Sequence, residues 1–139
     1  MNGTLASTTG EPPARHKPRL LLAEDEASTR EFLREILLPH YRVTVVLDGA
    51  QGIDAAGREA PDMVLSNVVM PGVDGVGFTK WLRANASTAT VPIILLSADN
   101  QMDTIQRGLE AGADDFLLKP FRPHEVLACL DDKLRQSRL

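Results

Sequence analysis

The amino-acid sequence predicts a three-layer α/β sandwich, in which helices cover both faces of one parallel sheet. From Arg19 onward, short apolar runs alternate with longer amphipathic stretches, which is the pattern of repeated strand-crossover-strand units. Several of the short runs are apolar at consecutive positions, as expected for strands that helices cover on both sides. The predicted strands span roughly 19–23, 42–46, 62–67, 91–96 and 115–118.

Amphipathic segments follow these strands and predict the helices. They span about 26–38, 50–60, 75–85 and 100–111, and the fifth begins near Pro123. The second helix ends before Pro61, because the proline ring disfavours helical geometry in the preceding residue, and Gly112 provides the C-terminal stop of the fourth. Helical spacing predicts that Met102, Ile105 and Leu109 form the buried side of that fourth helix.

Length and composition favour one folded domain preceded by a tail. A chain of 139 residues can bury a single core between packed layers. Residues 1–17 are rich in Gly, Ser, Thr and Pro and contain almost no large apolar side chain, so we expect a flexible tail there and a folded domain over 18–139. The apolar runs are too short to span a bilayer and the first residues lack a secretory signal, which predicts a cytoplasmic protein without a membrane partner.

Cysteine content and charge exclude several classes of function. Cys129 is the only cysteine, so an intrachain disulfide and a zinc site of several thiolates are excluded. The net charge of −4 disfavours binding to the phosphate backbone of nucleic acid, which attracts clustered Lys and Arg. We therefore expect protein partners and no direct nucleic-acid partner.

Polar and charged residues end four of the predicted strands. Because the carboxyl ends of parallel strands meet at one edge of the sheet, these side chains are expected to form one site. The carboxylates favour an oxygen-preferring cation such as Mg²⁺, and the hydroxyl and the ammonium group suit the oxygens of a phosphoryl group. Each residue alone has an ordinary explanation as a cap, a turn residue or a solvated charge, but four compatible strand ends favour the site. Its members are Glu24, Asp25, Asn67, Ser97 and Lys119.

Four segments resemble the receiver domain of response regulators in bacterial two-component signalling, and the resemblance covers about 19–137. The segments are residues 20–26, 61–75, 92–98 and 112–121. The resemblance implies a flavodoxin-like (βα)5 fold with strand order 2-1-3-4-5, in a signalling domain that is not an enzyme. It also implies that a histidine kinase or a histidine phosphotransfer protein donates the phosphoryl group. A downstream protein would bind the surface of the fourth helix, fifth strand and fifth helix.

The same resemblance implies roles for residues near the last strand. Ser97 and Lys119 would contact the phosphoryl group. Phe116 falls at the aromatic switch position of the family, where coupling of Ser97 to a rotating ring would report phosphorylation to the surface. The peptide bond between Lys119 and Pro120 would be cis.

Position 67 departs from the family pattern, because the phosphoacceptor aspartate is replaced by Asn67. A neutral amide is a poor nucleophile, so it cannot form the acyl phosphate that a carboxylate forms. The resemblance implies Mg²⁺ binding by Glu24 and Asp25, with help from position 67 and from the Val69 carbonyl. We expect that binding to be weakened, since one anionic ligand becomes a neutral oxygen.

Asn67 leads to two functional hypotheses. In the first, the chain is a phosphorelay receiver that would accept a phosphoryl group from a phosphohistidine at position 67, and the amide blocks that transfer. In the second, it is a natural pseudo-receiver that acts as a protein-interaction module without phosphate. Asn67 could accordingly be a deliberate non-phosphorylatable substitution or a natural residue, and slow deamidation is a third route.

Overall fold

The computed structural model describes residues 17–98 and 100–137, in which parallel strands alternate with helices. The strands are β1 (Arg19–Ala23), β2 (Arg42–Val46), β3 (Met63–Asn67), β4 (Ile93–Ala98) and β5 (Asp115–Lys119). The helices are α1 (Ala27–Leu37), α2 (Gly49–Arg58), α3 (Gly75–Ala84), α4 (Met102–Ala111) and α5 (Pro123–Ser137). The sheet order is β2-β1-β3-β4-β5, and each neighbouring pair is parallel. The predicted sandwich and strand order are confirmed.

The two faces of the sheet bury separate apolar clusters. Successive residues of a strand point to opposite faces, so Leu20 and Leu22 of β1 pack with α1 and α5, whereas Leu21 and Ala23 pack with α2 and α3. Phe78 of α3 is fully buried, and burial of a side chain of this size stabilises the fold by about 1.5–3 kcal/mol. Coverage of both faces explains why the strands are apolar at consecutive positions.

Several element bounds differ from the predicted ones by one or two residues. The Asp48 carboxylate accepts a hydrogen bond from the Gln51 N–H at 2.8 Å, so α2 begins at Gly49, one residue earlier than predicted. β4 begins and ends two residues later than predicted, which places Ser97 inside the strand.

Helix α4 packs on the sheet through a narrower stripe than its sequence predicts. Ile105 and Gly108 are buried, whereas Met102 and Leu109 are exposed. A Cβ atom on Gly108 would lie 2.3 Å from Leu95 Cδ1, so the helix backbone approaches β4 closely at this glycine. The prediction that Met102 and Leu109 are buried is therefore wrong, because the helix contacts the sheet on its Gly108 side.

Arg83 of α3 joins the segments that lead into β4 and β5. Its Nε donates to the Gly112 carbonyl at 2.9 Å, and Nη1 donates to the Val91 carbonyl at 2.7 Å. Its Nη2 donates to the Asp114 carboxylate at 2.9 Å, and that carboxylate also accepts from the Ile93 N–H at 2.8 Å. The side chain is only 20% exposed, so these bonds fix the amino ends of two strands.

The predicted flexible tail over 1–17 lies outside the described residues, apart from Lys17. Lys17 Nζ donates to the Leu38 carbonyl at 3.3 Å. The bounds 18–139 for the folded domain stay a prediction. Within the part of the chain that the structure describes, no helix has the length and apolar content needed to cross a membrane.

Candidate functional site

The predicted site residues lie along one edge of the sheet. Asn67 ends β3, Lys119 ends β5, and Glu24 and Asp25 directly follow β1. Ser97 lies one residue before the end of β4. Because all the strands are parallel, their carboxyl ends meet at this edge, and four of the five side chains form one contact network there. The Ser97 hydroxyl forms its hydrogen bonds outside this network, with Ala98 and Gln101.

The carboxamide of Asn67 occupies the centre of that network. Its Nδ2 donates to Asp25 Oδ1 at 3.1 Å and to the Val69 carbonyl at 2.9 Å. Its Oδ1 accepts from Lys119 Nζ at 3.1 Å. Asn67 is 8% exposed, so the contacts are largely shielded from water. One amide thus connects β1, the loop after β3, and β5.

The neighbours of Asn67 determine which way its amide faces. A carboxylate and a carbonyl, from Asp25 and Val69, can only accept hydrogen bonds, and the Lys119 ammonium can only donate. Exchanging the amide oxygen and nitrogen would place acceptor against acceptor twice and donor against donor once. The NH₂ group therefore faces Asp25 and Val69.

Glu24 contributes a buried carboxylate to the same site. Its side chain is 0% exposed, and its Oε2 accepts from the Glu26 N–H at 3.1 Å. Its Oε1 lies 3.5 Å from Lys119 Nζ and accepts no hydrogen bond from the described residues. The ion pair is thus too long to satisfy this oxygen. Burial raises the pKa of Glu24, while the Glu26 N–H and the Lys119 charge act in the opposite direction.

Glu26 and Arg30 have structural roles beside Glu24, and the sequence indicated only that an acidic residue at position 26 suits a helix N-terminus. Glu26 caps α1, since its carboxylate accepts from the N–H groups of Thr29 and Ser28. Hydrogen bonds from the Thr29 and Ser28 hydroxyls and N–H groups lower the pKa of Glu26 to about 2. Arg30 Nη1 donates to the Glu24 carbonyl at 3.1 Å. In the sequence, Ser28 and Thr29 after Glu26 were the pattern that could have predicted this helix cap.

The Ser97 hydroxyl is directed toward the start of α4. It donates to Gln101 Oε1 at 2.8 Å and to the Ala98 carbonyl at 3.1 Å. Gln101 Oε1 also accepts from the Ala98 N–H at 3.2 Å. Gln101 stands at the N-cap position of α4, and no pattern in the sequence marked it as a partner of Ser97.

The loop after β3 is held tightly against Asn67. The Gly75 N–H donates to the Val68 carbonyl at 2.7 Å. A Cβ atom at Gly75 would lie 2.4 Å from the Asn67 carbonyl oxygen and 2.9 Å from Val68 Cα. Only glycine permits this approach, which positions the Val69 carbonyl beside the amide. Asp74 then caps α3 by accepting from the Gly77 N–H at 2.9 Å.

Two features that the resemblance implies lie on β5 and just after it. Phe116 is half-buried and borders a groove along α4. Its role as a switch stays a prediction. The Lys119–Pro120 peptide bond is cis, as the resemblance implies.

The side chains as arranged do not fit a divalent cation. Among residues 17–98 and 100–137, no group of three or more His, Cys, Asp or Glu side chains could hold a metal ion. Mg²⁺ requires oxygen ligands, yet the Asn67 NH₂ group points at the Asp25 and Val69 oxygens. The centre of the site therefore presents a donor where a cation needs acceptors.

Comparisons with known proteins identify the family to which this fold and site belong. The family model for the response regulator receiver domain matches residues 20–131. The transcriptional activator protein PfeR of Pseudomonas aeruginosa is 43% identical over 123 residues, which are 88% of this chain and 39% of PfeR. The DNA-binding response regulator MtrA of Mycobacterium tuberculosis is 35% identical over 122 residues, which are 87% of this chain and 52% of MtrA. Both relatives are thus much longer than the match.

Similarity to solved structures agrees with the family match. The receiver domain of the sensor histidine kinase PA1611 from Pseudomonas aeruginosa is 33% identical with a TM-score of 0.79, over 84% of this chain and 97% of that domain. It was crystallised with a magnesium ion coordinated in its active site cleft. The chemotaxis protein CheY4 of Vibrio cholerae is 28% identical with a TM-score of 0.78, over 84% of this chain and 98% of that protein.

The relatives correct one prediction about partners. The expectation of no direct nucleic-acid partner is contradicted, because PfeR is a transcriptional activator and MtrA is a DNA-binding response regulator. The net charge of −4 describes only the residues of this chain, whereas the relatives extend well beyond the matched segment. The match over residues 20–131, together with the fold, shows that the chain belongs to the response regulator receiver domain family of two-component signalling.

Proposed function

We propose that this chain is a receiver module whose phosphoryl pocket is kept in the unphosphorylated form by Asn67. The observation that carries the proposal is the position of the Asn67 carboxamide. It lies at the centre of the pocket, in contact with Asp25, the Val69 carbonyl and Lys119. The atom that would accept a phosphoryl group is thus replaced, while the surrounding groups are retained.

The chemistry follows from the difference between a carboxylate and an amide. A carboxylate oxygen attacks the phosphorus of a phosphohistidine, an O–P bond forms, and the N–P bond to the donor breaks. The amide lone pair is delocalised and offers no comparable nucleophile. We assign Lys119 to neutralising phosphoryl oxygens and Ser97 to donating a hydrogen bond, which requires its hydroxyl to leave Gln101.

Restoring the carboxylate tests this proposal. Asn67→Asp is expected to incorporate label from radiolabelled acetyl phosphate in the presence of Mg²⁺ and to lose it in hydroxylamine, which cleaves acyl phosphates. The native chain and the matched variant Asn85→Asp, which introduces the same charge elsewhere, should remain unlabelled. Labelling of the native chain, or none of Asn67→Asp, would contradict the assignment.

Magnesium binding by Glu24, Asp25, Asn67 and the Val69 carbonyl stays a prediction for this chain. It would require the Asn67 amide to turn so that its oxygen faces Asp25. The cytoplasmic location also stays a prediction.

We further propose that the chain serves in a regulator that acts on DNA. This proposal is supported by the similarity to PfeR and MtrA. In such a regulator, coupling of Ser97 to Phe116 would transmit the state of the pocket to the α4 surface. A mobility-shift assay with the complete gene product and its own promoter would test it, and absence of a shift would count against it.

The alternative function is a phosphate-independent interaction module. One observation favours it, since the Asn67 amide has hydrogen-bond partners on both sides without phosphate. This alternative predicts that partner affinity is the same for the native chain and for Asn67→Asp, with or without acetyl phosphate. A change in affinity that needs both the aspartate and the phosphodonor would support the phosphorelay function instead.

A further inference from the structure

We propose that the Asn67 carboxamide takes the place of the divalent cation in this pocket, which makes the pocket independent of metal. The inference rests on the proposed function in one respect, namely that this pocket is the phosphoryl pocket of a receiver. It goes further because it concerns what stabilises the pocket, whether or not phosphoryl transfer occurs.

A cation and the Asn67 amide would compete for the same position in the pocket. A cation in this pocket would draw on the Asp25 carboxylate and the Val69 carbonyl. Both oxygens already accept hydrogen bonds from the Asn67 Nδ2, at 3.1 and 2.9 Å. Because one NH₂ group lies within hydrogen-bond distance of both oxygens, a cation that binds both must displace it and break these two hydrogen bonds. Asn67 is only 8% exposed.

The oxygen of the same amide also has a partner. Asn67 Oδ1 accepts from Lys119 Nζ at 3.1 Å. If this oxygen turned toward a cation, the NH₂ group would face the ammonium group, and donor would meet donor. The amide thus cannot serve as a cation ligand without losing all of its present bonds.

The remaining carboxylate of the pocket, Glu24, lies beside a positive charge. Glu24 is buried and lies 3.5 Å from Lys119 Nζ, so the lysine provides a positive charge from within the chain. Asp25 thus has the amide as a hydrogen-bond donor and Glu24 has the ammonium group as a counter-charge from within the chain, where clustered carboxylates would otherwise need a bound cation. Glu24 Oε1 still accepts no hydrogen bond from the described residues.

Metal titration of three forms of the chain tests the inference. The forms are the native chain, Asn67→Asp and Asn67→Ala, titrated with MgCl₂ by calorimetry and by thermal melting at constant ionic strength. Asn67→Ala removes the amide without adding a carboxylate. It should therefore bind Mg²⁺ at least about tenfold more tightly than the native chain, since displacement of even one or two hydrogen bonds costs about that factor. Mg²⁺ should raise the melting temperature of both variants and leave that of the native chain unchanged.

The opposite order of affinities would overturn the inference. If Asn67 serves as an oxygen ligand, Asn67→Ala will bind Mg²⁺ more weakly than the native chain. Equal affinities would also exclude competition by the amide. Absence of labelling in Asn67→Asp would refute only the proposed function, because the metal titration needs no phosphodonor.

A second measurement applies if Asn67→Ala fails to fold. In ¹⁵N spectra of the native chain, the Asn67 NH₂ signals are identified by their loss in Asn67→Asp. They should exchange slowly with water and keep their chemical shifts in millimolar Mg²⁺. Fast exchange, or shifts that saturate with Mg²⁺, would show that the amide leaves Asp25 and Val69, and would refute the inference.

Discussion

Replacement of Asn67 by aspartate should destabilise the chain when divalent cations are chelated. The substitution removes two hydrogen bonds, from Nδ2 to Asp25 and to the Val69 carbonyl. A hydrogen bond to a charged acceptor contributes about 1.5–3 kcal/mol and one to a neutral carbonyl about 1 kcal/mol. The new carboxylate also faces two oxygens that can only accept.

The charge of the new carboxylate has two opposing effects of similar size. At 3.1 Å from Asp25 and an effective dielectric constant near 20, the repulsion is about 5 kcal/mol. Lys119 lies at the same 3.1 Å, so its attraction offsets this repulsion. What remains is the loss of the hydrogen bonds, so we expect the free energy of unfolding to fall by about 3 kcal/mol. In a chain of this size, that lowers the melting temperature by about 10 °C.

Urea unfolding and thermal melting in EDTA and in MgCl₂ measure this change. Magnesium at about one hundred times its dissociation constant should restore about 2.7 kcal/mol to Asn67→Asp. Asn85→Asp is the matched control, because the Asn85 amide donates to the Trp81 carbonyl at 2.7 Å away from the pocket. Its loss of stability should be the same in both solutions. An Asn67→Asp variant as stable as the native chain in EDTA, or indifferent to Mg²⁺, would refute the reasoning.

Three further predictions concern other parts of the fold. Arg83→Met should lower the free energy of unfolding by about 3 kcal/mol in urea titrations, because the part-buried carbonyls of Gly112 and Val91 and the Asp114 carboxylate lose their donor. The exposed control Arg58→Met should change it by less than about 0.5 kcal/mol, and equal effects would contradict the role of Arg83. Gly75→Ala should cost about 2–3 kcal/mol in the same assay, because its Cβ would lie 2.4 Å from the Asn67 carbonyl oxygen; an unchanged midpoint would disprove the close approach. Burial raises the pKa of Tyr41, the only tyrosine, from 10.0 to about 12, so its tyrosinate absorbance should appear near the higher value in the folded chain. Because the unfolded chain releases this proton first, stability should fall as the pH rises from about 10 to about 12, and titration at the ordinary pKa would refute this.

Local patterns predicted the fold well because each element is specified by nearby residues. The bounds of β1 and β2 agree with the prediction, since both strands are short apolar runs flanked by polar residues. Errors arose where a contact between elements decided the outcome. Helix α4 turns its Gly108 side to Leu95, so Leu109 is exposed although its spacing fits a buried stripe.

The sequence by itself determined the family, the strand order and the chemical groups present at the sheet edge. It also identified Asn67 as the residue that departs from the family. Only the tertiary structure decided what these groups do to one another. The orientation of the Asn67 amide depends on Asp25, which is 42 positions away, and on Lys119, which is 52 positions away. Contacts over such separations arise when parallel strands align their ends, and no local pattern records them.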